Sequence, residues 1–304
     1  VTHPDVVGVD DGDAVVGFEA ESFGEAGHAS SGLAESGDDI LRAMAPLDLE
    51  AAARAAEAAA DRARAEILPR FRAVATETKA DGSPVTEADR AAERAIREVL
   101  HAAFPDVPIL GEEFGAEGDA GGGEGPSWVV DPIDGTIGFA RGIPLASTII
   151  ALCEDGEPVL GLIDLPMLGE RTVGWRGGGV RRNGRPVRCS EATDLSRALV
   201  AHGDLFCFDA CGERPAWQRM TERVGLLRGY TDAFGHAQVV AGAVDAMVDL
   251  HLNPWDVAAT QLLVPEAGGR CLTFDYPGPG KLGLVFGSPA LVEELAGFLE
   301  AKPR

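Results

Sequence analysis

The chain has 304 residues, 45% of them hydrophobic, and a formal net charge of −23. That length and apolar content suffice for one large domain, or two tightly joined subdomains, with a proper core. The charge argues against nucleic acid and anionic membrane as partners, and no apolar run approaches the roughly 20 residues that span a bilayer. No basic segment followed by an apolar one marks a secretory signal near the N-terminus, so a soluble, cytoplasmic protein is expected.

The acidity suits divalent cations and cationic small molecules, or serves solubility alone. Lysine is scarce, with only Lys79, Lys281 and Lys302. The five cysteines are odd in number, form no CxxC pair, and Cys207 and Cys211 have no histidine nearby at zinc spacing. Reduced thiols without a structural zinc are therefore expected.

Residues 1–43 are rich in Gly, Asp, Glu and Ser, with Arg42 their only basic Lys or Arg. Such a segment buries too little apolar surface to offset its ordering entropy, and a disordered acidic extension is expected. Alternatively, translation starts at Met44, just before the first strong helix. Residues 44–304 are expected to form one domain.

From Leu47 to about Phe71 apolar residues recur at helical spacing, and Pro69 marks the end. Residues 79–84 (KADGSP) read as a loop. Thr86, with Asp89 three residues on, reads as the cap of a second helix through Leu100. The glycine-rich stretch 119–125 lacks the GxxxxGK[ST] pattern and precedes a strand, which argues against a nucleotide cradle. Trp128–Val130 reads as a buried strand delivering Asp131 at its end. Residues 145–153 and 159–165 read as further strands. Residues 175–189 read as a hairpin turned at Asn183-Gly184, whose arginines (Arg176, Arg181, Arg182, Arg185, Arg188) form a solvated face rather than an anion patch. A strand begins at Leu199, a helix covers 233–243, a strand 246–250, and a helix 255–267 stopped by Gly268-Gly269. Alternating strands and helices with hairpins among them predict α/β layers built on mixed sheets.

The chemistry concentrates in carboxylates. Asp131-Pro132-Ile133-Asp134-Gly135-Thr136 places two acids around a corner whose backbone angle Pro132 fixes. Both carboxylates and the Ile133 carbonyl then face one point, the all-oxygen set that Mg²⁺ wants. Gly135 and Thr136 offer N–H groups to a phosphate where a helix opens. A plain Asx-turn with Asp134 as a cap is the structural alternative. Likewise Glu112-Glu113 in isolation reads as a solvated edge, and Asp256 as a helix-dipole partner.

Together these segments resemble the inositol monophosphatase superfamily: KADGSPVTEADRAAE (79–93), GEE (111–113), DPIDGT (131–136) and WDVAATQLLVPEAGG (255–269), in the family's order and roughly its spacing. The resemblance covers 45–304. It implies a layered αβαβα sandwich, two or three Mg²⁺ ions, Li⁺ inhibition and a homodimer. It also implies roles for particular residues. Glu112 bridges metals, Asp131 is shared by two of them, and the Ile133 carbonyl, Asp134 and Asp256 complete the ligands. Asp89 and Thr136 orient and deprotonate the attacking water. Lys79 and Glu113 accompany them without an assigned role; the loop between Lys79 and Asp89 is one residue longer than in the animal inositol enzymes. The substrate implied is a small phosphorylated metabolite.

Within the family, Asp232 stands where inositol monophosphatases carry a small residue. An acid followed by an aromatic and a small residue resembles the histidinol-phosphate phosphatases, as does the run through Phe139, Arg141, Gly142 and Pro144. Asp232 suits an ammonium as a charge-assisted partner, and Asp249 aligns with the family's substrate-contacting acid. Histidinol-phosphate hydrolysis, a step of histidine synthesis, is therefore expected. A broad inositol-phosphate phosphatase is the enzymatic alternative, and a non-catalytic regulatory binding protein of the same family the alternative of another class. His236 and His251 are expected to be ordinary polar residues, because the metal set is all oxygen.

Overall fold

A computed structural model describes residues 47–79, 84–118, 120 and 124–304. The expectations for residues 1–43, for a start at Met44, and for most of the 79–84 loop and the glycine-rich stretch lie outside these residues.

The first helix, α1 (Leu49–Arg70), is capped by Asp48, whose side chain accepts from Ala51 N at 2.9 Å. Short strands β1 (Glu77–Thr78) and β2 (Pro84–Val85) lead to α2 (Glu87–Ala103). The alanines of α1 (Ala52, Ala56, Ala59, Ala63) and the Ala88–Ala92–Ile96 stripe of α2 are all fully buried. Small side chains let the two helices approach closely against one face of a sheet.

That sheet is built from β3 (Ile109–Gly111), β4 (Gly115–Ala116), β5 (Pro126–Asp134), β6 (Ser147–Glu154), β7 (Glu157–Leu165), β8 (Glu170–Trp175), β9 (Gly179–Arg182) and β10 (Arg185–Pro186), in the order β10-β9-β8-β7-β6-β5-β3-β4. A short helix, α3 (Thr136–Ala140), follows β5. Trp175 ends β8 rather than opening the predicted hairpin, and Asn183-Gly184 turns β9 into β10 as expected. Arg176, Arg181, Arg185 and Arg188 are exposed, and Arg182 pairs with Glu170, so the solvated face holds.

The second sheet contains β11 (Leu199–His202), β12 (Leu226–Arg228), β13 (Ala246–Leu252), β14 (Arg270–Asp275) and β15 (Leu282–Gly287), ordered β12-β11-β13-β15-β14. Between the sheets lie α6 (Asp232–Val240) and α7 (Pro254–Glu266). Over the outer face of the second sheet lie α4 (Leu205–Ala210), α5 (Arg214–Arg223) and α8 (Pro289–Ala296). The layers run αβαβα, as expected. Among the described residues, no helix is long and apolar enough to cross a membrane.

A helix between two sheets meets apolar surface on both sides, which explains why α7 is apolar nearly all round. Its approach to β7 is close enough to demand glycine. A Cβ on Gly161 would lie 2.7 Å from the Ala259 carbonyl oxygen and 2.9 Å from its Cα. Gly161→Ala is therefore expected to destabilise the chain by ~1–3 kcal/mol, the usual range for forced overpacking. Thermal unfolding checks it, and an unchanged Tm would mean that the middle layer has slack at this point.

Candidate metal and phosphate site

β5 carries the first two acids of the site through a slip in register. Asp131 pairs with Ile149 of β6, but Asp134 pairs with Ser147, so β5 advances three residues while β6 advances two. In a regular strand, residues three apart point to opposite faces. The bulge cancels that alternation and brings both carboxylates to one side. Pro132 sits inside the slip, where no ladder N–H is needed, and its carbonyl accepts from Thr148 Oγ1 at 2.8 Å. Asp131 Oδ1 accepts from Ile133 N at 3.0 Å. The Asx-turn of the structural alternative is present at Asp131, but Asp134 does not cap the helix that follows it: Gly135 is the N-cap of α3 and makes no side-chain cap bond.

Asp256 arrives from the first turn of α7. Its Oδ2 accepts from Asn253 N at 2.7 Å. The dipole role and the convergence on Asp131 coexist, because only one oxygen is used in the cap. Carboxylate oxygens of Asp131, Asp134 and Asp256 all lie within 4.8 Å of one another. Ser147 Oγ and Ala233 N donate to Asp134 Oδ2 at 2.9 and 2.6 Å.

The energetic cost of this crowding shows in the acidities. Burial first, then Glu112, Asp134 and Asp256, raise the Asp131 pKa well above the ordinary carboxylate range. Burial, then Asp232 and Asp256, do the same to Asp134. Asp256 is pushed up to about 7 by burial, with Glu112 and Asp249 adding to it against the Asn253 N–H and Lys281. Hard oxygen donors bearing uncompensated buried charge are what a divalent cation neutralises, so this residue set fits one.

Glu112 stands just beyond the end of β3 and contributes to the field at Asp131 and Asp256. Lys79 Nζ donates to Glu112 Oε1 at 2.8 Å and to Glu113 Oε1 at 2.7 Å. Burial pulls the Lys79 pKa down, but its two acidic partners outweigh it and the net shift is upward. Glu113 is pushed up to about 7 all the same: its side chain is 4% exposed against 19% for Lys79, and burial there outweighs the ion pair.

Asp89 is fully buried in the capping box of α2. Its Oδ2 accepts from Thr86 N at 2.8 Å and from Thr86 Oγ1 at 2.5 Å. Its Oδ1 lies 3.1 Å from Thr136 Oγ1, which also lies 3.0 Å from the Ile133 carbonyl oxygen. Burial raises the Asp89 pKa against these hydrogen bonds. Gly135, in the left-handed region at φ 81°, turns the chain from β5 into α3 and sets Thr136 beside Asp89.

Two adjoining lobes form the cleft. The smaller, about 100 Å³, is lined by Asp134, Asp204, Asp232, Asp249 and Asp256 among others. The larger, about 370 Å³, opens past Glu112, Thr136, Ile137 and Ile143, and the lobes share Asp204, Thr231 and Asp232. Asp232 opens α6 at φ 59°, a left-handed conformation that Asp tolerates better than most residues. Its Oδ2 would lie 3.0 Å from a Cβ on Gly135, so its carboxylate adjoins the Gly135–Thr136 turn. Asp249 is buried with Oδ2 3.1 Å from His236 Nε2, and His236 Nδ1 lies 2.8 Å from Thr260 Oγ1. Both ring nitrogens of His236 are thus engaged within the protein, and one Asp249 oxygen is already partnered.

Three contributors escaped the sequence reading. Ser147 was hidden because only the bulge places it opposite Asp134. Asp204 lay in an unremarkable HGDLF segment. Glu93 gave a signal, standing four residues after Asp89 and four before Arg97 on one helix face.

The αβαβα layers enclose an acid-lined cleft whose carboxylates could hold a metal ion, an arrangement that fits the phosphatase class of its relatives. Residues 41–296 match the profile described as the inositol monophosphatase family. The chain belongs to that family. It is 40% identical over 223 residues to a histidinol-phosphatase of Chlorobaculum parvum, covering 72% of this chain and 84% of that one. It is 37% identical over 262 residues to a histidinol-phosphatase of Streptomyces coelicolor, covering 82% and 97%. Among solved structures, an inositol monophosphatase from Zymomonas mobilis superposes with a TM-score of 0.71 at 32% identity, covering 84% of this chain and all (100%) of that one.

Proposed function

We propose that this phosphatase hydrolyses L-histidinol phosphate to L-histidinol and phosphate with Mg²⁺ as cofactor. The observation that carries the substrate choice is Asp232, whose carboxylate lies between the Gly135–Thr136 turn and a lobe also lined by Asp204 and Asp249. Histidinol phosphate presents an ammonium a short distance from its phosphate, and the acid rim offers that ammonium a charge-assisted partner. The two histidinol-phosphatase relatives support the same choice.

Glu112, Asp131, Asp134, Asp256 and the Ile133 carbonyl would hold the Mg²⁺ ions. When bound, these supply charge neutralisation of the phosphate and acidification of water. The chain's own residues do the rest. Thr136 Oγ1 donates its proton to Asp89 Oδ1, which leaves an oxygen lone pair to accept from the attacking water. The raised pKa of Asp89 suits it to receive that proton through the hydroxyl. Gly135 and Thr136 offer N–H groups to the phosphate oxygens. Lys79 restrains Glu112 and Glu113 together.

Phosphate release from histidinol phosphate, inositol 1-phosphate, fructose 1,6-bisphosphate and adenosine 3′,5′-bisphosphate tests the reading. Asp232→Asn keeps a residue tolerant of the left-handed backbone and removes the charge. It is expected to lower kcat/KM on histidinol phosphate by roughly 10–100-fold, the worth of a charge-assisted hydrogen bond of ~1.5–3 kcal/mol. On inositol 1-phosphate it should change little. A preference of the unaltered enzyme for inositol 1-phosphate would favour the second reading, which the match to the Zymomonas enzyme supports, and leave the metal site standing.

A further inference from the structure

The turn that carries Glu112 and Glu113 is fastened from below by a carboxylate that takes no part in the chemistry described above. Glu93 is fully buried on α2. Its Oε2 accepts from Glu113 N at 2.7 Å, and its Oε1 accepts from Phe114 N at 3.3 Å. Oε1 also takes Arg97 Nε at 2.8 Å and Nη2 at 2.7 Å. Arg97 in turn reaches the Gly115 carbonyl at 2.8 Å, and Glu117. The fit is tight: a Cβ on Gly111 would lie 2.0 Å from Glu93 Oε1 and 2.7 Å from Arg97 Nη2.

Asp89, Glu93 and Arg97 follow one another at intervals of four on α2 and share a face. That face presents Asp89 to Thr136 and, one turn on, Glu93 to the backbone of the Glu112–Phe114 turn. One rigid helix thereby fixes both the group that would take the water's proton and the turn that supplies a metal ligand. We infer that Glu93 is a positioning residue that locks the Glu112 turn in the geometry for binding the metal, with Arg97 holding Glu93 in place. This rests on the reading of Glu112 as a metal ligand.

Replacing Glu93 by Gln keeps the size of the side chain but substitutes an NH₂ for one acceptor oxygen. That group then faces either the N–H of Glu113 or the guanidinium of Arg97, both donors, and the turn loses an anchor. Partners that orient a ligand typically change metal affinity or activity by about 10–100-fold when lost.

The test is a Mg²⁺ titration of the full chain by calorimetry, and by the Mg²⁺-induced rise in Tm, on the wild type, Glu93→Gln and Glu213→Gln. Glu213 is a matched control. It is likewise buried and accepts backbone N–H groups, from Glu300 at 2.9 Å and Ala301 at 2.9 Å, but it lies outside the residues lining the cleft. The expected result is a Mg²⁺ affinity about 10–100-fold weaker in Glu93→Gln, and an affinity equal to wild type in Glu213→Gln despite a lower Tm. Equal affinity in Glu93→Gln and wild type would overturn the inference alone, as would an equal loss in both variants. A wild type that does not respond to Mg²⁺ would overturn the metal reading and the inference with it. Should Glu93→Gln fail to fold, Arg97→Lys keeps the charge beside Glu93 while giving up the fork to Gly115 and Glu117. Its Mg²⁺ affinity should fall severalfold, and an unchanged value would overturn the inference.

Discussion

Asp131→Asn is expected to lower phosphatase activity by a factor on the order of 10² to 10³, the range seen when a preorganised electrostatic group is removed from a reaction site. It is also expected to raise Tm in EDTA. The two effects have one cause. Asp131 is 2% exposed, and its carboxylate crowds against Glu112, Asp134 and Asp256. Without metal its charge is unpaired and buried, which is a cost to the fold. Asparagine is nearly the same shape, and its Oδ1 still accepts from Ile133 N, so the bulge in β5 survives. What disappears is the charge that draws the metal. Steady-state kinetics with Mg²⁺ and thermal unfolding in EDTA check the pair of outcomes. Activity within tenfold of wild type would remove Asp131 from the metal set. Lost activity with a lower metal-free Tm would mean that the carboxylate is structural.

This coupling of function to local strain explains which parts of the site could be read before folding. Asp131 and Asp134 were legible as a pair of acids around a proline corner, whereas Glu112 and Asp256 joined them only through the resemblance of the segments that carry them. The Thr86–Asp89 capping box was legible from its spacing, and it exists with both reciprocal bonds. The bulge that unites Asp131 with Asp134 was not, because register is a property of two strands and β6 carries no mark of it. The Glu93 anchor was weakly legible from its spacing, but its partners are backbone N–H groups, which every residue except proline has. The middle position of α7 likewise followed from its all-round apolar character only once a second sheet was known to cover it. The strands that cover it, β14 and β15, and the outer helices α4, α5 and α8 passed unread. They are short elements whose burial is decided by distant neighbours rather than by local pattern.

In EDTA, Tm is expected to fall as pH rises from about 4 to about 7, and saturating Mg²⁺ should abolish the fall. The sign follows from the two acids held near neutrality, Asp256 and Glu113, each pushed up to about 7. Below the ordinary carboxylate range both folded and unfolded chains hold these protons, and the groups contribute nothing. Between that range and about pH 7 the unfolded chain has released them while the folded chain keeps them. The folded state then binds more protons, so stability declines with rising pH. Both shifts push the same way, and with Asp256 partly open to the cleft the loss over this range is on the order of a few kcal/mol. For a chain of this size that is several degrees in Tm. Mg²⁺ binds the deprotonated carboxylates, and its stabilisation should accordingly be small near pH 5 and grow to about 3 kcal/mol at neutral pH when the ion is about a hundredfold above its Kd. Unfolding curves collected across this pH range with EDTA and with Mg²⁺ should therefore diverge as pH rises. Parallel curves would mean that the carboxylates of the cleft are already neutralised by the protein itself, and that the metal has no electrostatic debt to relieve.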